Sequence, residues 1–293
     1  VYSTADATAR VNDGVGRPLI SVIVATFNAA MTVERCIKSV SEQIYPHKEL
    51  IMIDGGSTDG TVEILKQNSE KIRYWASEPD RGICHAWNKA LSRASGEWIC
   101  FLGADDWFWN ETVLARIGEQ LRTVPSGIRV VYGQNMLING RGESLYPVGA
   151  SWETVKRRFW AGMCLPHPGM MHHRSLFEQH GMFDESFRIA GDYELLLREL
   201  KHAEALFIPN LLIAGVRQGG ISSKPDSALL VLSEARRAQR MHGQRLPPLL
   251  WIWSMAKVSL RLLLWRVFGE RVTRSALDLG RQMLNQPKHW TKT

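Results

Sequence analysis

The 293-residue sequence predicts an α/β fold: a mostly parallel sheet with helices on both faces. Two observations carry this expectation. Between Leu19 and Leu102, short apolar strands alternate with helical patterns, the order expected of βαβ units. Each strand also ends in a polar motif, and in open parallel sheets ligands gather at the carboxyl ends of the strands.

Leu19 to Ala25 is a β-branched strand, and Asn28 opens a helical pattern with Val33, Ile37 and Val40 on one face. Leu50 to Ile53 is the second strand. Gly55-Gly56-Ser57-Thr58-Asp59-Gly60 is a tight turn, and Thr61 to Lys66 starts the next helix. Ile72 to Trp75 is the third strand, Ile83 to Ser92 a helix that ends before Gly96, and Trp98 to Leu102 the fourth strand. The polar motifs at the strand ends are Thr26-Phe27-Asn28, Asp54, Glu78-Pro79-Asp80-Arg81-Gly82 and Asp105-Asp106. After Glu111 the rhythm changes. Arg129 to Tyr132 reads as a strand, Gly140-Arg141-Gly142 as a hairpin turn, Trp152 to Phe159 and Ser175 to His180 as helices. Asp184 to Phe187 is a turn, Asp192 to Leu200 a helix and Leu206 to Pro209 a strand.

Asp105-Asp106 is the most informative feature. Two acids at the end of a buried strand are costly unless something neutralises them. Strand-end carboxylates suit a hard divalent cation with oxygen ligands. The alternative is a solvated turn or a helix start, where Asp is favoured for local reasons.

Ile20 to Asn28, Ile53-Asp54-Gly55-Gly56-Ser57-Thr58-Asp59-Gly60-Thr61 and Leu102-Gly103-Ala104-Asp105-Asp106 together resemble the inverting family 2 glycosyltransferases with a GT-A fold, a Rossmann-like sheet flanked by helices. The likeness is close over residues 18 to about 110 and continues weakly through Gly191-Asp192-Tyr193-Glu194-Leu195 to about 222. It implies a nucleotide-sugar donor, a divalent metal (Mn2+ or Mg2+) and a single displacement. By the family's pattern Asp106 is the metal ligand and Asp105 contacts the donor ribose or sugar. Relatives often read Asp-Asp-Gly-Ser at the second strand end, where the second Asp can meet the base. Here that position is Gly55, so Asp54 alone carries the donor-binding expectation there, with a turn acid satisfied by its own backbone as the alternative. Ala25, Thr26, Asn28, Arg81, Gly82 and Asn88 are the further expected donor contacts. Arg81 reads equally as a surface charge.

An inverting transfer needs a base for the acceptor hydroxyl. Asp192 is nominated, with Glu194 as fallback; the alternative for Asp192 is a helix-start acid favoured by the dipole. His167, His172 and His173 lack zinc-site company and read as acceptor-site or structural. Arg217 to Ser223 reads as a glycine-bearing lid. Ser57, Thr58 and Asp59 read as turn and capping residues. Relatives that polymerise sugars carry a Q-x-x-R-W motif and membrane spans; neither is found here, which implies one sugar added per encounter.

Charge separates the end of the chain from the rest. Net charge is +7, and from Arg240 onward ten Lys or Arg face only Glu270 and Asp278. Leu249 to Phe268 is rich in Leu and Trp and carries two apolar lanes at helical spacing. One runs Trp251, Val258, Leu262, Trp265; the other Ile252, Ala256, Leu260, Leu263, Val267. One lane is expected to pack on the catalytic domain and the other to meet an anionic membrane surface, with packing or oligomerisation as the alternative. The expected organisation is a disordered segment 1–17, a catalytic domain 18–228 (donor half 18–110, acceptor half 111–228) and a basic helical appendage 229–293. The cysteines Cys36, Cys84, Cys100 and Cys164 show no C-x-x-C pairing and read as reduced. Val1 to Gly16 does not read as a signal peptide.

These readings point to transfer of one sugar from a nucleotide-sugar, UDP-linked by expectation, to a hydroxyl of a glycan or polyprenyl-linked glycan. The expected setting is the inner face of the cytoplasmic membrane. A GT-A-like nucleotidyltransferase would need a glycine-rich phosphate loop after the first strand, and an NAD enzyme a G-x-G-x-x-G; Ala25 to Ala30 is neither. A non-catalytic glycan-binding protein is the remaining alternative. Nucleic acid is not expected, because the Leu and Trp content of the basic segment favours lipid or protein.

Overall fold

The computed structural model of the chain describes residues 16–220, 227–283, 285, 290 and 291. Its first half alternates as expected: β1 (Ile20–Thr26), α1 (Val33–Ser41), β2 (Lys48–Asp54), α2 (Thr61–Gln67), β3 (Tyr74–Ser77), α3 (Ile83–Leu91) and β4 (Trp98–Gly103). These strands lie parallel in the order β3-β2-β1-β4. Thr26 pairs with Asp54, Asp54 with Ser77, and Ala25 with Gly103, so the four carboxyl ends are nearly level. That register brings the polar motifs, far apart in sequence, to one edge of the sheet.

The strands read as continuous apolar runs because both faces are covered. Ile23, Ile51, Ile53, Ile99 and Phe101 point to one layer, where they meet Trp87 and Ala90 of α3. Val22, Val24, Leu50, Met52, Cys100 and Leu102 point to the other, against Cys36 and Ile37 of α1. The period-2 alternation of the strands thus feeds two cores.

The second half completes a nine-stranded sheet among the described residues. It contains β5 (Trp107–Phe108), α4 (Val113–Leu121), β6 (Val130–Ile138), β7 (Ser144–Val148), α5 (Trp152–Phe159), β8 (Met171–His173), α6 (Arg174–His180), α7 (Gly191–Leu200) and β9 (Leu206–Arg217). β8 runs antiparallel to β4 and joins it to β6, which pairs with β9. The hairpin expected at Gly140 to Gly142 joins β6 to β7.

Two local expectations change, and one short strand carried no expectation. The first helix starts at Val33 rather than Asn28, because Asn28 has a left-handed φ of 48° and the amides of residues 28 to 30 are bound by the second turn. His172 and His173 belong to β8, a strand too short to announce itself by periodicity. The strand begun at Leu206 runs on to Arg217 through Pro209 and Asn210.

Three helices follow: α8 (Ala228–Met241), α9 (Leu249–Phe268) and α10 (Glu270–Met283). The expected 228/229 boundary falls at the start of α8, yet α8 is built into the main body. Its Glu234 accepts the backbone N–H groups of Arg188, Ile189 and Ala190 at 2.8–2.9 Å, capping the segment that leads into α7. Among the described residues from α9 onward, no hydrophobic side chain is fully buried. The four cysteines are free thiols.

Candidate active site at the carboxyl edge of the sheet

The turn after β2 is organised by Asp54. Its side chain is fully buried and accepts from Thr26 Oγ1 (2.8 Å), Ser57 Oγ (2.5 Å), Ser77 Oγ (2.7 Å) and the amides of Gly56 (3.0 Å) and Ser57 (2.9 Å). Burial pushes its pKa up, but the bonds from Ser57, Ser77 and Thr26 outweigh this and hold the carboxyl below its usual value. Both oxygens are committed, so Asp54 shapes the edge by tying β1, β2 and β3 together.

Four hydrogen bonds then clip the β1 loop onto the β2 turn. Asn28 N–H donates to Ser57 Oγ (2.7 Å), Ala29 N–H to Thr61 Oγ1 (2.8 Å) and Ala30 N–H to Asp59 Oδ2 (3.0 Å), while Asn28 Oδ1 accepts from Thr58 N–H (3.1 Å). Ser57, Thr58 and Asp59 therefore serve the turn, as their residue types suggest.

Asp105 and Asp106 fold back over the end of β4. A Cβ at Gly103 would lie 2.8 Å from both Asp105 Oδ1 and Asp106 Oδ2, so the two carboxylates converge on one point that only glycine leaves open. Asp106 is 5% exposed and, among the described residues, accepts two long backbone bonds, from Gly103 N–H and Arg217 N–H, each 3.2 Å. Burial, and then the charge of Asp105, pushes its pKa up to about 7. Burial also raises Asp105. Burial and the mutual repulsion of the pair outweigh the attraction of Arg217, and a hard divalent cation would neutralise the remaining charge. Among the described residues no group of three or more His, Cys, Asp or Glu is arranged to hold a metal alone. Two carboxylates completed by phosphate oxygens is nevertheless an ordinary Mg2+ arrangement, so the residues fit such an ion.

Asp192 lies in the first turn of α7. Its Oδ1 accepts from Tyr193 N–H at 2.7 Å, and its Oδ2 sits 3.9 Å from His167 Nδ1. Burial pushes its pKa up to about 6. His167 stacks on Phe101 of β4 with ring centroids 5.6 Å apart, and burial lowers its pKa to about 4, so it is neutral. A Cβ at Gly191 would meet Cys84 Sγ at 2.3 Å. The start of α7 therefore abuts the start of α3, and Asp192 is set at this edge through its neighbours, Gly191 against Cys84 of α3 and His167 against Phe101 of β4.

The remaining expected contacts separate. Thr26 is 3% exposed and spent on Asp54. Asn88 is spent on the backbone of Phe183, with Nδ2 donating to its carbonyl (2.9 Å) and Oδ1 accepting its amide (3.0 Å), and on Glu185. Ala25 and Gly82 are half-buried, and Gly82 has a φ of 123°. Arg81 pairs with Glu185 and its side chain stays 69% exposed. Glu194, the fallback base, is committed to Arg198 and His242. His172 is fully buried and His173 caps α6. Arg217 ends β9, and residues 221–223 of the expected lid lie outside the described residues, as do residues 1–15 of the N-terminal segment.

Sequence reasoning missed Arg35, whose guanidinium lies 3.2 Å from the ring centroid of Trp107, the residue that follows the acid pair in the chain. It also missed Glu185 and Glu234, whose partners are set only by packing. A cavity of about 430 Å3 lined by Glu97, Trp98, Arg129 and His173 lies at the opposite, amino-terminal end of β4. It has none of these groups, and parallel sheets bind ligands at the other edge.

The profile described as "Glycosyl transferase family 2" matches residues 21–181. An uncharacterised glycosyltransferase of Mycobacterium tuberculosis is 33% identical over 228 residues, covering 77% of this chain and 84% of that protein. Among solved structures, the mannosyltransferase PcManGT of Pyrobaculum calidifontis, in complex with GDP-Man and Mn2+, superposes with a TM-score of 0.60 at 20% identity, over 92% of this chain and 81% of that one. TarS 1–349 of S. aureus in complex with UDP-GlcNAc gives 0.59 at 18% identity, over 75% of this chain and 66% of that one. At these identities the two structures show a shared GT-A fold.

Proposed function

The chain belongs to glycosyl transferase family 2, and from that premise we propose that it is an inverting, metal-dependent hexosyltransferase. In this reading it moves one sugar from a UDP-sugar to a hydroxyl of a glycan or polyprenyl-linked glycan. The observation that carries the reading is the acid pair at the end of β4, its charge disfavoured by burial and by mutual repulsion, at the same edge as Asp192. The UDP donor draws support from the UDP-GlcNAc that TarS binds, with the GDP-Man of PcManGT as the other precedent.

Asp106, with Asp105 beside it, would hold Mn2+ or Mg2+. When bound, the ion supplies Lewis-acid stabilisation of the departing diphosphate. Arg217 adds positive charge near Asp105, and Arg35 lies near Arg217. Asp192 takes the proton of the acceptor hydroxyl on Oδ2, the oxygen left over when Oδ1 is fixed by Tyr193 N–H. A pKa near 6 suits a base that must be ionised at neutral pH yet still take a proton. Neutral His167 beside it adds no charge that would weaken the base.

The acceptor is lipid-linked in this reading because of α9. No helix among the described residues is long and apolar enough to cross a membrane. Leu249, Ile252, Trp253, Leu260, Leu263 and Val267 are nevertheless all exposed, and they share one face of about 100° at helical spacing. The other lane, Trp251, Val258, Leu262 and Trp265, is turned toward the protein. An exposed apolar stripe with Lys257 and Arg266 at its sides suits an anionic membrane surface.

The deciding assay is release of nucleoside diphosphate across a panel of nucleotide-sugars with acceptor extracts, with Mn2+, Mg2+ or EDTA, beside Asp106→Ala. Metal-dependent release from a UDP-sugar, lost in the variant, supports the reading. EDTA-resistant release, or full activity in the variant, overturns it.

A further inference from the structure

The segment from Asp184 to Glu194, which carries Asp192, is gripped by α8, a helix that the sequence assigned to the appendage. Arg237 of α8 donates to the Ser186 hydroxyl and carbonyl (3.2 Å to the latter), lies 3.8 Å from Asp184 and covers the Phe187 ring at 4.2 Å. Gln239 Nε2 reaches the Tyr193 hydroxyl (3.4 Å), and His242, just after α8, meets Glu194 Oε1 (2.9 Å). The middle of the segment is held by Glu234, which is 7% exposed. Its Oε1 accepts the Arg188 N–H, and its Oε2 accepts those of Ile189 and Ala190. Ala190 is the N-cap residue of α7 and has no side chain able to cap it. A carboxylate from another helix therefore ties down the entry to α7, ending two residues before Asp192.

We propose that Glu234 is a positioning residue for the transfer, holding the entry to α7 so that Asp192 Oδ2 faces the acceptor hydroxyl. The inference rests on the reading of Asp192 as the base and adds the group that holds it. Its first effect is geometric. Asp192 Oδ1 is pinned to the Tyr193 N–H, so the direction of Oδ2 follows the first turn of α7. That turn in turn follows the three amides held by Glu234. The second effect is electrostatic. The titratable groups around Asp192 are His167 before β8, Cys84 on α3 and Glu234 on α8, while Asp184 and Glu185 face Cys84. Burial lowers His167 to about 4 and pushes Cys84 up to about 12, so neither is charged at neutral pH. Burial first, and then the negative charge of Glu234, raise the proton affinity of Asp192. Removing that charge alone makes the base weaker and shifts its ionisation to lower pH.

The test sets Glu234→Gln beside Glu234→Ala in the full chain. Gln keeps an oxygen for the Ile189 and Ala190 amides and removes the charge; Ala removes both. One readout is nucleoside diphosphate release with Mn2+ and acceptor extract, from whichever of UDP-GlcNAc, UDP-glucose, UDP-galactose and GDP-mannose wild type turns over. The other is 13C NMR titration of the Asp192 carboxyl, its signal assigned by its loss in Asp192→Asn. Glu234→Ala lowers kcat about 10–100-fold with little change in the KM for donor, the cost of a displaced reacting group. Glu234→Gln recovers most of that kcat, yet its carboxyl titration and the acidic limb of kcat/KM both move below the wild-type pH of about 6. Should Glu234→Ala fail to fold, Glu234→Gln decides by its titration. An Asp192 titration and acidic limb unmoved in Glu234→Gln overturn the inference and leave Asp192 as the base, with Glu234 a structural cap. If wild type turns over no donor while Glu234→Gln still moves the titration, the transfer reading fails and the coupling of Glu234 to Asp192 stands.

Discussion

Asp106→Asn should stabilise the metal-free protein at alkaline pH while abolishing transfer. The Asp106 carboxyl ionises at 3.8 when unperturbed and at about 7 in the folded protein, because burial and Asp105 oppose its charge. Between these values the folded state keeps a proton that the unfolded state has released. The contribution of this group to stability therefore falls as pH rises from about 4 and reaches its minimum above about 7. At about 1.4 kcal/mol per pH unit, ionising Asp106 in place costs about 4 kcal/mol at pH 8. Asn removes the charge and keeps an oxygen for the Arg217 amide. It then sets a donating group against the Gly103 N–H, a loss of about 1 kcal/mol. The net gain is about 2–3 kcal/mol at pH 8, a rise in melting temperature of about 4–10 °C for a chain of this size. At pH 5 wild-type Asp106 is already protonated and the gain shrinks to nothing. Differential scanning fluorimetry in EDTA at pH 5 and 8 reads both numbers. A variant that melts lower than wild type at pH 8, or that gains equally at both pH values, would refute the electrostatic account of this site.

Asp192→Asn should lower kcat by about 10²–10⁴ with little change in the KM for donor, since it removes a proton acceptor and no donor contact. A matching loss in both would assign Asp192 a structural role. For wild type, kcat/KM should rise as pH increases through about 6, where Asp192 loses its proton; a flat profile between pH 5 and 7 would speak against it. Asp54→Ala should cost roughly 3–5 kcal/mol in urea unfolding, because it leaves buried hydroxyls and amides of three strand ends unpaired. A change below 1 kcal/mol would mean those bonds contribute little. Leu260→Asp with Leu263→Asp should abolish flotation with phosphatidylglycerol liposomes and leave donor hydrolysis unchanged. Equal flotation of variant and wild type would remove the membrane role of α9.

The sheet was legible because its strands are buried on both faces and read as apolar runs, each ended by polar residues. The acid pair was legible because carboxylates at the end of such a run lack a cheap structural excuse. Other assignments were less legible. Thr26, Asp54 and Asn88 are the right residue types for ligand contacts, and equally the right types for tying loops together. Only the partners distinguish the two, and those partners are 28 and 95 residues away. Asp80 was legible only as part of the polar motif after the third strand, and Arg35 drew no signal because an arginine on a helix is commonplace. The two lanes of α9 could be drawn from the sequence, but not which of them faces outward.

The sequence by itself determined the α/β class, the order of the early strands, the strand-end acids, the family and the basic, Leu- and Trp-rich character of the final helices. Periodicity, strand-end chemistry and motif spacing are local properties, and each is written within a few residues. Tertiary structure alone decided that Asp54 is spent on three strand ends, that Asp80 fills the space beside Gly55, that Asp192 meets the His167 ring stacked on Phe101, and that α8 caps the segment leading to Asp192. Each of these depends on sheet register and helix packing, which bring together side chains that no local pattern relates.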